Sequence, residues 1–181
     1  VLSGEIVMQG SGQQVRGLRF HGYRYRTASL DGTRFELTGP PVNKLTLSAT
    51  SSNAEPLTFP MVHLAPGDRL DLGRAETRRT LEVKVHVTDG SGRPLSRAEV
   101  LLLRLPDQDR GEYVVVPKSV RLRSRGPKGE YRASRVGMYR WQLVVRHSDW
   151  RTYTESVKVS GISNSFDVRL SSSPRRGGSD K

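Results

Sequence analysis

With 181 residues and 34% hydrophobic side chains, the chain has material for one large or two small cores. It has no cysteine and no long apolar run, which excludes a disulfide scaffold, a thiolate metal site and a helical membrane span. The formal charge of +12 is uneven, with net +3 over residues 1–79 and net +9 over residues 80–181, so an anionic partner would meet the second half first.

Arginine supplies 24 of the 30 cations, which a proteome-wide arginine bias explains as well as a binding role does. Eighteen glycines and ten prolines, without any sustained 3.6-residue apolar period, favour short strands over a helical bundle. A chain that opens on Val1 reads as a processed piece, with any targeting signal lying upstream.

Along the chain, the first landmark is Gly10-Ser11-Gly12, which recurs as Gly90-Ser91-Gly92 at an offset of 80 with Val15 over Leu95. Beyond it, an offset of 96 places Phe35 over Tyr131, Leu37 over Ala133, Leu45 over Trp141, Leu47 over Leu143 and Ala49 over Val145. The same offset holds through Leu70 over Phe166, Asp71 over Asp167 and Leu72 over Val168. Such a ladder describes two copies of one fold, because a one-residue slip would turn every side chain to the wrong face. The change of offset implies about sixteen extra residues in the second copy between Ala98 and Glu130, forming a longer loop and an added strand. In the first strand Ile6 falls over His86 instead of Val85 or Val87, so that strand carries a bulge or the alignment is shifted by one.

The joint between copies lies in the charged run from Leu72 to Arg79. In the second copy Leu81, Val83, Val85 and Val87 alternate with polar residues before an Asp-Gly-Ser-Gly turn. Ala98, Val100 and Leu102 form the next inward set, followed by Val120 and Leu122. Two strands joined through Arg135-Val136-Gly137 then place Tyr131, Ala133, Tyr139, Trp141, Leu143 and Val145 on one face. The last two strands run near Tyr153–Val159 and Ser165–Leu170. The expected class is therefore all-β: two tandem seven-stranded, Ig-like or prealbumin-like β-sandwiches over residues 1–76 and 77–172, with a disordered basic tail at 173–181.

The positions Val83, Val85, Val87, Asp89, Gly92, Pro94, Leu95, Ala98, Val100 and Leu102 resemble the pattern of the carboxypeptidase regulatory-like, or transthyretin-like, domain family. The stretch from Gly137 to Val145 resembles the second half of that pattern, and copy one fits it over "DGTRFELTGPPVNKLTLSA" and "HLAPGDRLDLG". Copy one departs from it at Gln13-Gln14 and at Arg16-Gly17-Leu18. The resemblance spans about residues 2 to 172 and implies a seven-stranded prealbumin-like sandwich. Domains of this family accompany peptidases without performing the chemistry, and they recur in arrays on bacterial envelope proteins.

No catalytic constellation, metal ligand set or cofactor motif is expected. His21, His63, His86 and His147 are scattered without metal-ligand spacing, and neither a Gly-x-Ser-x-Gly elbow nor a phosphate-cradling loop occurs. Asp31 and Asp89 each precede a glycine, which is turn chemistry unless further oxygens converge. Among the aromatics, Trp141 and its neighbouring tyrosines belong to the core, leaving Trp150 as the candidate stacking platform in an exposed loop. If Tyr131 and Trp141 point inward, Arg132, Arg140 and Arg146 point outward, joined by Arg121 and Arg123 if their strand shares the sheet, as a candidate anion-binding face.

The leading expectation is a non-catalytic structural and interaction module of a larger exported, bacterial cell-envelope protein, located in the periplasm or outside the cell, whose partner is a protein or cell-surface polymer. The alternative is a polyanion-binding module for acidic polysaccharide or nucleic acid. Nucleic acid is the less favoured of these, because no aromatic residues interleave with the outward arginines.

Overall fold

The computed structural model describes residues 1–9, 14–22, 27–31, 33–39, 42–105, 117–161 and 164–171. The first Gly-Ser-Gly, the expected longer loop at 106–116 and the expected tail at 173–181 lie outside the described residues. Among those described, all regular structure is strand and none is helix. They divide into two compact units, one within residues 1–81 and one within residues 82–105, 117–161 and 164–171.

The first unit contains a four-stranded sheet in the order β3 (Thr27–Asp31), β4 (Arg34–Thr38), β1 (Leu2–Met8), β9 (Leu70–Thr77). A three-stranded sheet joins β2 (Arg19–His21), β6 (Ser48–Thr50) and β7 (Leu57–Thr58), and β5 (Val42–Leu45) pairs with β8 (Val62–Leu64). Leu2, Ile6 and Met8 alternate inward along β1, and Phe35 and Leu37 do so along β4. The ring of Phe20, from the three-stranded sheet, lies 4.6 Å by centroid from that of Phe35 in the four-stranded sheet, so the two sheets meet face to face over this cluster. Gly4 makes room for it, since a Cβ there would stand 2.9 Å from the Phe35 ring.

Among the described residues the second unit has seven strands: β10 (Thr80–Thr88), β11 (Glu99–Arg104), β12 (Ser119–Ser124), β13 (Glu130–Gly137), β14 (Arg140–His147), β15 (Trp150–Lys158) and β16 (Ser165–Arg169). Their hydrogen-bonded order is β15-β14-β11-β12-β13-β10-β16. β12 pairs with β11 through Ser119–Leu122 and with β13 through Arg123 and Ser124, so it passes from one layer to the other. Val83, Val85, Val87, Val100, Leu102, Leu143 and Val145 are all fully buried between the layers. Each buried Val or Leu contributes about 1.5–3 kcal/mol by leaving water, which is what holds so small a unit against its chain entropy.

Several sequence expectations change in detail. Among the described residues the first unit has nine strands in three sheets where seven strands were expected. β9 continues through Gly73 to Thr77, so the charged run expected to be a joint is largely strand, and Arg78 and Arg79 alone separate it from β10. The expected bulge lies in β9 rather than β1: Ser3 pairs with Asp71 but Glu5 with Arg74, and Gly73 takes φ +72 at the extra residue. Ile6 N–H donates to the Thr33 carbonyl as Val87 N–H donates to that of Gly129, which matches Ile6 to Val87 at an offset of 81. Arg135 does not join two strands. It lies inside β13 with φ +62, and this reversal allows both Tyr131 and Val136 to be buried.

The two units share a register. Phe20 pairs with Ala49 as Val100 pairs with Val145, and Arg19 with Thr50 as Glu99 with Arg146, at the offsets of 80 and 96 on the respective strands. Ala49 also pairs with Leu57, and Ser48 with Thr58, as Val145 pairs with Tyr153 and Val144 with Thr154. In each unit the first strand lies parallel to the last, β1 to β9 and β10 to β16. There the expected match of Leu72 with Val168 fails: Ile6 pairs with Ala75 as Val87 pairs with Val168, so Ala75 corresponds to Val168 at an offset of 93, and both are buried.

Candidate functional site

β12 and β13 set the position of the candidate arginines. The alternation Val120, Arg121, Leu122, Arg123 buries Leu122 and turns Arg121 and Arg123 outward. Across the antiparallel pair Arg123 stands directly opposite Arg132. These three, with Arg125, Glu82 and Ser134, line a groove of about 240 Å³ on the outer face of the second unit. Arg125 and Glu82 were not singled out from the sequence. The continued every-second-residue spacing 121, 123, 125 is the signal that would have found the first.

Arg132 is fixed by acids. Its Nε donates to Glu130 Oε1 and its Nη1 lies 3.6 Å from Glu82 Oε1. The Glu130 side chain is 8% exposed, and its other oxygen lies 3.8 Å from His86 Nε2. The hydrogen bond from Arg132 is the main reason that the Glu130 carboxyl ionises below its ordinary range. Burial opposes this, and the charges of Arg132, of His86 when protonated, and of Lys84 support it. The same bond raises the Arg132 guanidinium further, so the pair stays ionised at any ordinary pH. Gly126, at φ +94, leaves the space this pair needs, because a Cβ would lie 2.8 Å from Glu130 Oε1.

The other expected arginines lie elsewhere. Arg146 sits opposite Glu99 and reaches its Oε2 at 3.4 Å, while Arg121 approaches the Oε1 of the same glutamate at 3.9 Å. Arg140 begins β14, paired with Lys158, and is six residues from Arg146, or ~20 Å along the strand. The structure therefore brings Arg121, Arg123 and Arg132 to one groove, places Arg146 outside it on the far oxygen of the Glu99 that Arg121 approaches, and leaves Arg140 apart. Trp150 is not in a loop. It opens β15, half-buried, paired with His147 across the hairpin.

The remaining polar candidates have local roles. Asp89 Oδ1 accepts the Ser91 hydroxyl at 2.7 Å and the backbone N–H groups of Ser91 and Arg93, which closes the turn ahead of Gly92 at φ +83. The Ser91 hydroxyl is the largest cause holding the Asp89 carboxyl below its usual range, followed by the Arg93 amide. Asp31 ends β3 opposite Arg34. His21 bonds Thr50 at 2.9 Å and His147 meets the Ser96 carbonyl at 3.2 Å. Among the described residues no group of three or more His, Cys, Asp or Glu converges as a metal site.

No protein-family model matches the chain and no curated protein matches it. Among solved structures it is similar to a Streptococcal ancillary pilin, with 11% identity over 96% of this chain and 62% of that one and a TM-score of 0.39. It is similar also to the TIE protein of Bacillus anthracis, with 12% identity over 94% of this chain and 33% of that one and a TM-score of 0.36. The major pilin subunit of Bacillus cereus gives 10% identity over 89% of this chain and 58% of that one, with a TM-score of 0.33. The chain spans less than two thirds of each of these three. All three TM-scores are below 0.5, and the fold assignment rests on the strand pairing itself.

Proposed function

We propose that the chain is a non-catalytic tandem β-sandwich module of a larger exported, cell-envelope protein, serving as a spacer and as an interaction surface for a protein or cell-surface polymer. One observation carries this reading: the parallel pairing of first and last strand in each unit. With that pairing the chain enters a unit at one end of a sheet and leaves at the opposite end, advancing by ~26 Å over eight residues. Load between the two ends then shears a whole ladder of hydrogen bonds at once instead of opening them singly. The shared register at offsets 80 and 96 supports a duplicated domain. The Val83 to Leu102 pattern supports carboxypeptidase regulatory-like domains at 1–76 and 77–172, a family that recurs in envelope arrays.

Pulling single molecules by their termini tests the reading. Two separate unfolding events are expected, each releasing on the order of 25–30 nm at ~3.6 Å per residue. A single event, or peptide hydrolysis that persists through repurification with added metal, would overturn it.

A further inference from the structure

The groove between β12 and β13 has an electrostatic arrangement that folding alone does not explain. Arg123 faces Arg132 directly across an antiparallel pair, where like charges destabilise the sheet. Arg132 is occupied by Glu130 and Glu82, and Arg121 has only the long approach to Glu99. Neither Arg123 nor Arg125 has a side-chain partner among the described residues, although both line the groove. Three guanidinium groups thus line one groove beside a fourth that its acids hold in place. Planar guanidinium forks match tetrahedral oxyanions bidentately, and a fixed member of the cluster lowers the cost of ordering the others.

We infer that this groove is a compact site for one tetrahedral oxyanion, presented as a sulfate or phosphate monoester on a saccharide. A small site fits better than an extended polyanion track, because neither Arg140 nor Arg146 lines the groove. The volume of about 240 Å³ equals about eight waters at ~30 Å³ each. That accommodates the anion with one attached sugar ring. Ser134, at the lip, adds a hydroxyl for an ester or ring oxygen.

The test is calorimetric titration of the full chain with inorganic sulfate and inorganic phosphate, at ionic strength held constant with chloride. Saturable one-to-one binding is expected, weakened about tenfold or more in the Arg123→Gln/Arg125→Gln double variant. The Arg151→Gln/Lys158→Gln double variant, which removes the same two charges from exposed positions of β15, should bind as the parent does. Glucose 6-sulfate and glucose 6-phosphate then separate the two sources, and tighter binding of either ester than of its inorganic anion supports the proposal. Without ligand, Arg123→Gln should melt no lower than the parent, since it relieves the facing charges, so a loss of binding is not a loss of folding. Absence of saturable binding, equal binding by parent and double variant, or preference for a phosphodiester oligonucleotide over sulfate would each overturn it.

Discussion

In the first unit the buried rings are Phe20, Phe35 and Phe59, which have no polar atom to offer, whereas in the second they are Tyr131, Tyr139 and Trp141. Two of the latter hold backbone. Trp141 Nε1 donates to the Gly137 carbonyl at 3.0 Å and so ties down the tip of the β13–β14 hairpin. The Tyr131 hydroxyl accepts from Ala98 N–H at 2.8 Å and donates to the Leu95 carbonyl at 3.2 Å, clamping the turn in which Arg97 takes φ +64. In this unit β14 is one continuous strand of eight residues. In the first unit the corresponding stretch is divided at Thr46 and Leu47 into β5 and β6, which lie in different sheets. The same apolar ladder thus fixes which side chains turn inward, while the second unit's rings also tie down its turns through their polar atoms.

Trp141→Ala gives the comparison its most severe test. Trp141 is fully buried, and its removal costs both the cavity and the tether to Gly137, ~3–5 kcal/mol in all. Amide exchange should lose protection in β11, β14 and β15 while β1 and β4 keep theirs. Equal loss in both units would show that they are not separate cores. A smaller effect tests the other side. Gly22 sits at φ +90, and a Cβ there would stand 2.2 Å from the Thr46 carbonyl oxygen, at the very point where the first unit's strand divides. Gly22→Ala should cost ~1–3 kcal/mol and deprotect β2 and β6, leaving β14 unaffected. An unchanged melting profile would mean that the close approach does not hold the break in place.

The inward pattern was legible because period-two alternation is a local property. Phe35, Leu37, Leu45, Leu47 and Ala49, together with Tyr131, Trp141, Leu143 and Val145, are buried. What the sequence concealed depended on partners distant along the chain. Nothing local distinguishes the 42–50 stretch from 138–146 as broken or whole, and the backbone that closes on Thr46 at the break is that of Gly22, distant along the chain. The arginines show the same limit. Outward direction could be read for each one, but grouping could not, because it depends on β12 lying between β11 and β13 and on Glu99, Glu82 and Glu130 choosing among the guanidinium groups. Trp150 was misplaced for a related reason: a two-residue turn at Ser148 and Asp149 starts β15 earlier than its polar sequence implies.

Acid should sharpen the difference between the units with the mildest effect of the three. Glu130 ionises at lower pH in the folded protein than in the unfolded chain, whose glutamate titrates near ~4.3. The stabilisation it gives is therefore fully present above that value and is lost as pH falls through the lower, folded one. Melting midpoints of the parent and of Glu130→Gln, followed from about pH 7 to about pH 2, should be apart at the neutral end and converge in acid. His86 and Lys84, facing the same carboxylate from β10, and Glu82, sharing Arg132, keep their places in both proteins, so convergence isolates the Glu130–Arg132 pair. Protection of β1 and β4 should not distinguish the two proteins at any pH. If the two curves instead stay parallel into acid, the pair contributes nothing that titration can remove, and Gly126 has some reason other than this carboxylate to be a glycine.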